Sequence, residues 1–294
     1  MSGSNDSADK KQYRAGVFQG GTPDTARDIS FYDKKRETEK HLGRELSIEE
    51  FRENYYQPDA IESTASGTSI FDPVLVELAC RWFCPPGGNV LDPFAGGSVR
   101  GIVASKLGLH YTGIDLSARQ IEANKVQGAA ICDPEFMPRW INGNSLDVET
   151  LVPGLQADFI FSCPPYADLE VYSTDSRDLS NMPYPQFREM YGQIIAAAVR
   201  MLRLDRFACF VVGDIRDGDG FYRNFPAHTV EAFEAAGARF YNSAILVTAV
   251  GSLPVRITRQ FNAARKLGKT HQDVLVFCKG DPKKATQAIG NDGG

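Results

Sequence analysis

The sequence predicts an α/β fold: an open, mainly parallel sheet with helices on both faces. Three observations predict it. Short apolar strands alternate with stretches of helical periodicity between residues 72 and 277. Asn89-Val90-Leu91-Asp92 runs directly into a glycine-rich turn and a helix, which lets backbone approach a ligand closely and offers free amides. Phe159-Ile160-Phe161 is bulky and apolar, as suits a strand buried on both faces, and the chain then meets Pro164 and Pro165. Each proline fixes φ and removes a donor, so the strand must stop there. What remains is a stiff corner at the carboxyl end of a buried strand, where open α/β sheets bind ligands.

The elements follow in order. Residues 1–12 are rich in Ser, Asp and Lys and read as a disordered tail. Residues 13–65 read as an N-terminal helical appendage, with a capping box at Ser47-Ile48-Glu49-Glu50 leading into Phe51, Tyr55 and Tyr56. Ser63 to Ser69 is a linker of small residues. Asp72 caps a helix that Pro73 opens, with Val74, Leu75, Leu78, Ala79 and Trp82 at helical spacing, and Pro85-Pro86-Gly87-Gly88 ends it. After the first strand a helix runs from Val99 to Leu107. The second strand, His110 to Asp115, ends in an acid, and a capping box at Ser117-Ala118-Arg119-Gln120 starts the helix through Asn124. Trp140 to Ser145 is a third strand and turn, and Ala157 to Ser162 the fourth strand. Ala167 to Pro185 is a polar, Asp-rich loop with Tyr172 and Tyr184, suited to lie over a site as a lid. Gln186 to Leu204 is an amphipathic helix whose Met and aromatic stripe reads as core packing. Phe207 to Val212 is the fifth strand, residues 226–237 a helix ended by Gly237, and Phe240 to Val247 and Asp273 to Phe277 the last two strands.

Composition narrows the function classes. A chain of 294 residues, 43% of them hydrophobic, supports one large core with appendages. No apolar run reaches the ~18 residues of a membrane span. Met1 to Lys11 lacks an apolar signal core, so a cytoplasmic protein is expected. The six cysteines have neither zinc-like nor thioredoxin-like spacing, so no metal site is expected. A net charge of −5 does not advertise a nucleic-acid binder, so any such surface must be a local patch. The insert 249–271 is the candidate: it holds Arg256, Arg259, Arg265, Lys266 and Lys269 and no acid. Charge runs are usually solvated faces, and that reading stands beside the nucleic-acid one. Residues 283–294 read as a flexible tail. The composition permits a monomer or a weak dimer.

Cys163-Pro164-Pro165-Tyr166 resembles the catalytic motif of DNA amino-methyltransferases, the N4-cytosine and N6-adenine family, in which Asp, Asn or Ser precedes Pro-Pro-Tyr or Pro-Pro-Phe. Asp92-Pro93-Phe94-Ala95-Gly96-Gly97-Ser98 is similar to that family's cofactor loop, with Ser98 in place of the last glycine. It fits the Gly-x-Gly-x-x-Gly spacing of a dinucleotide site poorly. The run from Gly268 to Gly280 resembles phage and prophage members. The resemblance covers residues 66–282. It implies a Rossmann-like, seven-stranded methyltransferase sheet whose last strand is antiparallel, with S-adenosylmethionine as cofactor. The reaction implied is methyl transfer to the exocyclic amino group of a DNA base, with a cognate restriction nuclease as an optional partner.

The resemblance also distributes roles. Phe71, Asp72 and Pro73 stand where the family closes a helix entry over the methionine part of the cofactor. Asp92, Pro93, Phe94, Gly96 and Gly97 form the loop beside it. Asp115, about twenty residues beyond the glycine turn, matches an acceptor for the ribose hydroxyls, although alone it would read as a helix cap. Asn144 and Ser145 stand near the expected adenine. Cys163 and the Pro164 carbonyl would accept the two hydrogens of the target amine, and Tyr166 would stack on an extruded base. Cys163 departs from the family. It is nearest Ser in shape, which puts cytosine slightly ahead of adenine, but its sulfur is a weak acceptor. A covalent role for Cys163 ranks behind this. Two other classes stay open: methylation of an amine or amide in RNA or protein, and a diverged nucleic-acid-binding module that does not methylate.

Overall fold

A computed structural model describes residues 35–36, 38–46, 50–51, 71–166, 177–247 and 253–290, with the side chains of 253–256 excepted. The chain divides into two compact units, residues 1–69 with 248–270, and residues 70–247 with 271–294. In the first unit, residues 38–42 are helical and Glu39 accepts from the Leu46 amide at 2.8 Å. Leu46 and Phe51 are buried, and Arg44 grips Glu50 through both oxygens. The expected tail 1–12, residues Ser47 to Glu49 of the capping box, Tyr55, Tyr56 and the linker lie outside the described residues, as do 167–176 of the expected lid.

The second unit is a seven-stranded sheet. Its elements are α1 (Pro73–Phe83), β1 (Asn89–Asp92), α2 (Val99–Lys106), β2 (His110–Asp115), α3 (Ala118–Ile131), β3 (Arg139–Asn142), the short α4 (Val148–Leu151), β4 (Ala157–Ser162), α5 (Tyr184–Met201), β5 (Leu202–Val212), α6 (Phe225–Ala235), β6 (Arg239–Val247), β7 (His271–Lys279) and, between the last two strands but in the first unit, α7 (Leu253–Ala264). A final helix, α8, covers Pro282–Ile289. The strand order is β3-β2-β1-β4-β5-β7-β6, parallel except for β7, which runs antiparallel to both neighbours.

Alternation in the strands builds the two cores. Ile160, Ala208, Phe210, Leu275 and Phe277 face α5 and α6. Phe159, Phe161, Phe207, Cys209, Val211, Val274 and Val276 face the other way, where α1, α2 and α8 supply Val76, Ala104 and Ala285. A two-residue period with both sets apolar means both faces are covered.

Of the boundaries that differ from expectation, two have a clear physical cause. The helix expected through Leu204 ends at Met201, because Leu202 pairs with Ala157 and starts β5. The Lys279 ammonium donates to the carbonyls of Val199 and Leu202 at 2.7 and 2.6 Å, satisfying the helix end. The expected flexible tail is largely α8. Asp281 accepts from the Lys283 amide, Pro282 suits the first turn, and Ala285 and Ile289 bury a narrow apolar stripe.

Candidate active site

The order of strands reverses between β1 and β4, which makes a crevice at their carboxyl ends. Leu91 pairs with Ile160, so the turn after β1 and the corner after β4 emerge side by side. One hydrogen bond ties them: the Ser162 hydroxyl donates to Asp92 Oδ1 at 2.5 Å. The glycine turn and the Pro-Pro corner therefore share one edge of the sheet.

Asp92 is fully buried, and both its oxygens are engaged within the protein. Oδ1 also accepts from the Phe94 amide, and Oδ2 accepts from Arg100 Nε at 2.6 Å and the Tyr111 hydroxyl at 2.7 Å. Arg100 in turn donates to the Phe94 and Ala95 carbonyls at 2.6 and 3.0 Å. The guanidinium and carboxylate thus pin the loop's backbone from below. Pro93 is fixed by its carbonyl, which accepts from the buried Ser145 hydroxyl at 2.5 Å. Phe94 lies edge-on to Phe210, centroids 6.2 Å apart.

Gly96 has φ +47°, a conformation L-residues rarely take, and it is held on both sides. Its amide donates to Asp115 Oδ2 at 2.9 Å, and its carbonyl accepts from Asn124 Nδ2 at 2.7 Å. A Cβ built on Gly96 or Gly97 would meet nothing within 4 Å. The space above this turn is open, and only hydrogens stand between the backbone and a ligand. Ser98 is turned inward, hydrogen bonded to the Gln127 side chain.

Asp115 Oδ1 accepts from the Ser117 amide at 2.8 Å, so each carboxylate oxygen has one protein donor and keeps a lone pair. Burial raises its pKa above the ordinary Asp value, against the two amides that lower it. Asn144 accepts from the Leu146 amide and caps the short turn Ser145–Asp147. Asp72 accepts from the Val74 amide at 2.9 Å as the cap of α1, with Pro73 following. Phe71 reaches the site: its ring meets Phe161 edge-on at 5.7 Å, and the Arg100 guanidinium stands 4.8 Å from its centroid.

Cys163 is half-buried on the α1–α2 face of the sheet, and Tyr166 packs on the α5–α6 face. The corner straddles the sheet edge. Tyr166 is 9% exposed, so a ligand can touch one patch of its ring at most. Phe225 meets it edge-on at 6.1 Å, and its hydroxyl accepts from Gln272 Nε2 at 2.5 Å. Gln272 comes from the start of β7. Because β7 is antiparallel, its first residues lie at the carboxyl ends of the parallel strands, and Asp273 pairs with Val212.

Sequence reading missed Arg100, Asn124 and Gln272. Arg100 and Asn124 stand at plain helical positions, and their partners lie across turns. Gln272 sits in the run that carried the phage resemblance, but only the strand order brings it to Tyr166. In the first unit, Arg256 and Arg259 lie on α7, and Arg265, Lys266 and Lys269 follow it. Arg259 and Arg265 are exposed. Among the described residues no three His, Cys, Asp or Glu side chains gather as a metal site, and no helix is long and apolar enough to cross a membrane.

No family model matches the chain, and no curated protein matches its sequence. Solved structures do. TrmN from Thermus thermophilus superposes with a TM-score of 0.50 at 15% identity, over 74% of this chain and 52% of its own. The chain therefore spans about half the length of that protein. The fold is the Rossmann-like methyltransferase fold. A putative sarcosine dimethylglycine methyltransferase from Galdieria sulphuraria aligns over 85% of this chain and 99% of its own, at 15% identity and a TM-score of 0.47. A TehB-like SAM-dependent methyltransferase from Corynebacterium glutamicum covers 74% of this chain and 93% of its own, at 19% identity and a TM-score of 0.44. At such identities the likeness is one of fold, and the chemistry must come from the site.

Proposed function

We propose that this protein transfers a methyl group from S-adenosylmethionine to the exocyclic amino group of a base in DNA, N4 of cytosine ahead of N6 of adenine. The observation that carries the reading is the hydrogen bond from Ser162 to Asp92, which sets an open glycine turn beside a Cys-Pro-Pro-Tyr corner at the switch point.

The residues present fit the cofactor. Gly96 and Gly97 leave open space for close approach, and the remaining lone pairs of Asp115 suit two ribose hydroxyls. Phe71, Asp72 and Pro73 border the methionine end, and Asn144 and Ser145 the adenine end. Asp92 acts by holding Phe94 and Arg100 in place, since its own oxygens are engaged. When bound, the cofactor supplies a methyl group already activated by a sulfonium leaving group.

An exocyclic amine is a weak nucleophile because its lone pair is delocalised into the ring. The Pro164 carbonyl and Cys163 Sγ accept its two hydrogens and draw the nitrogen toward a tetrahedral shape. Pro164 and Pro165 make that corner rigid, so orientation is fixed before the reaction. Tyr166, clamped by Gln272 and Phe225, is the wall against which the extruded base rests. Arg256, Arg259, Arg265, Lys266 and Lys269 contribute phosphate contacts without sequence preference.

The test is nucleoside mass spectrometry of DNA, and separately of RNA, treated with purified protein and cofactor carrying a deuterated methyl group. N4-methylcytosine or N6-methyladenine in the DNA, absent with Tyr166→Ala, is the expected result. Label on a pyrimidine ring carbon, or only in the RNA, contradicts the reading.

A further inference from the structure

The chain between β5 and α6, residues 213–224, forms a stiff hairpin whose root touches the site. At the root, a Cβ on Gly213 would lie 3.6 Å from Tyr166 Cε1 and Oη, and Phe225 packs on the same ring. Ile215 is fully buried, and its carbonyl accepts from the Arg223 amide at 2.8 Å. Arg216 and Tyr222 bridge across the hairpin, and the Asp217 amide donates to the Phe221 carbonyl at 2.9 Å. The turn closes on itself. Asp217 Oδ1 accepts from the amides of Asp219 and Phe221 at 3.0 and 2.9 Å, and Arg216 Nη1 donates to the Gly220 carbonyl at 2.7 Å.

These bonds engage Asp217 and Arg216 within the turn, while Asp219 stays exposed at its tip. Two rings also face outward: Phe221 is 73% exposed and Tyr222 47%, the latter backed by the Arg216 guanidinium 3.7 Å from its centroid. The hairpin carries Asp214, Asp217 and Asp219 against Arg216 and Arg223, so it is a poor phosphate binder. An aromatic edge on a rigid, non-basic turn beside a base-extrusion site suits a different task, filling space within a base stack.

We propose that the 213–224 hairpin enters the DNA duplex, with Phe221 occupying the gap that the extruded base leaves. This rests on the DNA reading above. The physical gain is stacking: a ring inserted at the vacated step recovers part of the unstacking cost, which falls on duplex DNA and hardly at all on single strands. Phe221 is thus a positioning residue for duplex substrate and takes no part in the methyl transfer.

The experiment measures incorporation of tritiated methyl into sheared genomic DNA, native or heat-denatured, by wild type, Phe221→Ala and Phe221→Trp. Loss of the ring lowers the native-to-denatured rate ratio about tenfold, in line with an unstacking cost of that order, and Phe221→Trp restores it. A Phe221→Ala enzyme that loses both rates equally, or neither, overturns the proposal. A wild-type protein that labels neither DNA form refutes the DNA reading itself, and the hairpin's role falls with it. The site's exposure predicts an unchanged melting temperature for both variants, which separates these outcomes from misfolding.

Discussion

At the residue scale the glycine turn rests on what is absent. Gly97 has no neighbour within 4 Å of a would-be Cβ, so a larger side chain there has room in the folded chain. Gly97→Val is predicted to keep its melting temperature within a few degrees while S-adenosylmethionine affinity, measured by calorimetry, falls at least about tenfold. Arg100 behaves oppositely. It is buried with Asp92, and Arg100→Met leaves a buried carboxylate uncompensated, which predicts a loss of about 3–5 kcal/mol in denaturant unfolding. At Cys163 the weak sulfur acceptor predicts that Cys163→Ser matches or exceeds the wild-type turnover and Cys163→Ala falls about tenfold below it. The raised pKa of Asp115 has a sign. In the proposed role ribose hydroxyls donate to the ionised form, which predicts that cofactor affinity weakens as pH falls through a value above the usual ~3.9 of Asp. Asp92 was legible as an acid at a strand end. Its partners were not, because Ser162 stands 70 residues away and Arg100 looks like any helical arginine.

At the scale of elements, strands and helices were legible where the pattern had a single period. β4 showed both-face burial in Phe159 to Phe161, and α1 showed its cap in Asp72 and Pro73. Boundaries decided by tertiary contacts were not. The end of α5 depends on Lys279 and on the pairing of Leu202 with Ala157, and α8 depends on a core stripe only two residues wide. The antiparallel β7 has a structural consequence, since it delivers Gln272 to Tyr166. If Tyr166 positions the base as proposed, Gln272→Leu is predicted to lower kcat about tenfold with little change in cofactor affinity, because Tyr166 loses the bond that orients its hydroxyl. At the opposite end of β4, Asp158 joins three elements through the Asn89 amide, Arg203 and Arg206. Burial alone would raise its pKa, yet these donors outweigh it and the value is lowered. The stability it supplies is present above the usual Asp range and is lost as pH falls through the lowered value. Asp158→Asn therefore flattens the acid limb of unfolding and leaves methyl transfer unaffected.

At the scale of the whole molecule, seven strands and their order gather residues that are distant in sequence. The reversal between β1 and β4 sets residues 92–97 beside 162–166, and the parallel neighbours β2 and β3 add Asp115 and the 143–145 turn. The fold class was legible because β1 to β5 each ended in a signal, an acid, a glycine turn or a proline pair. A DNA substrate could be proposed only through the Cys-Pro-Pro-Tyr resemblance, since a net charge of −5 gives no global preference for nucleic acid. The proposed reaction needs one edge of the sheet to serve both cofactor and base. A crystal structure of the protein with sinefungin tests it most directly. The nucleoside is expected against Gly96, Gly97 and Asp115, with its amine directed at Cys163 and the Pro164 carbonyl. Sinefungin bound away from the Gly96 turn, or with its amine turned from the Pro-Pro corner, contradicts it.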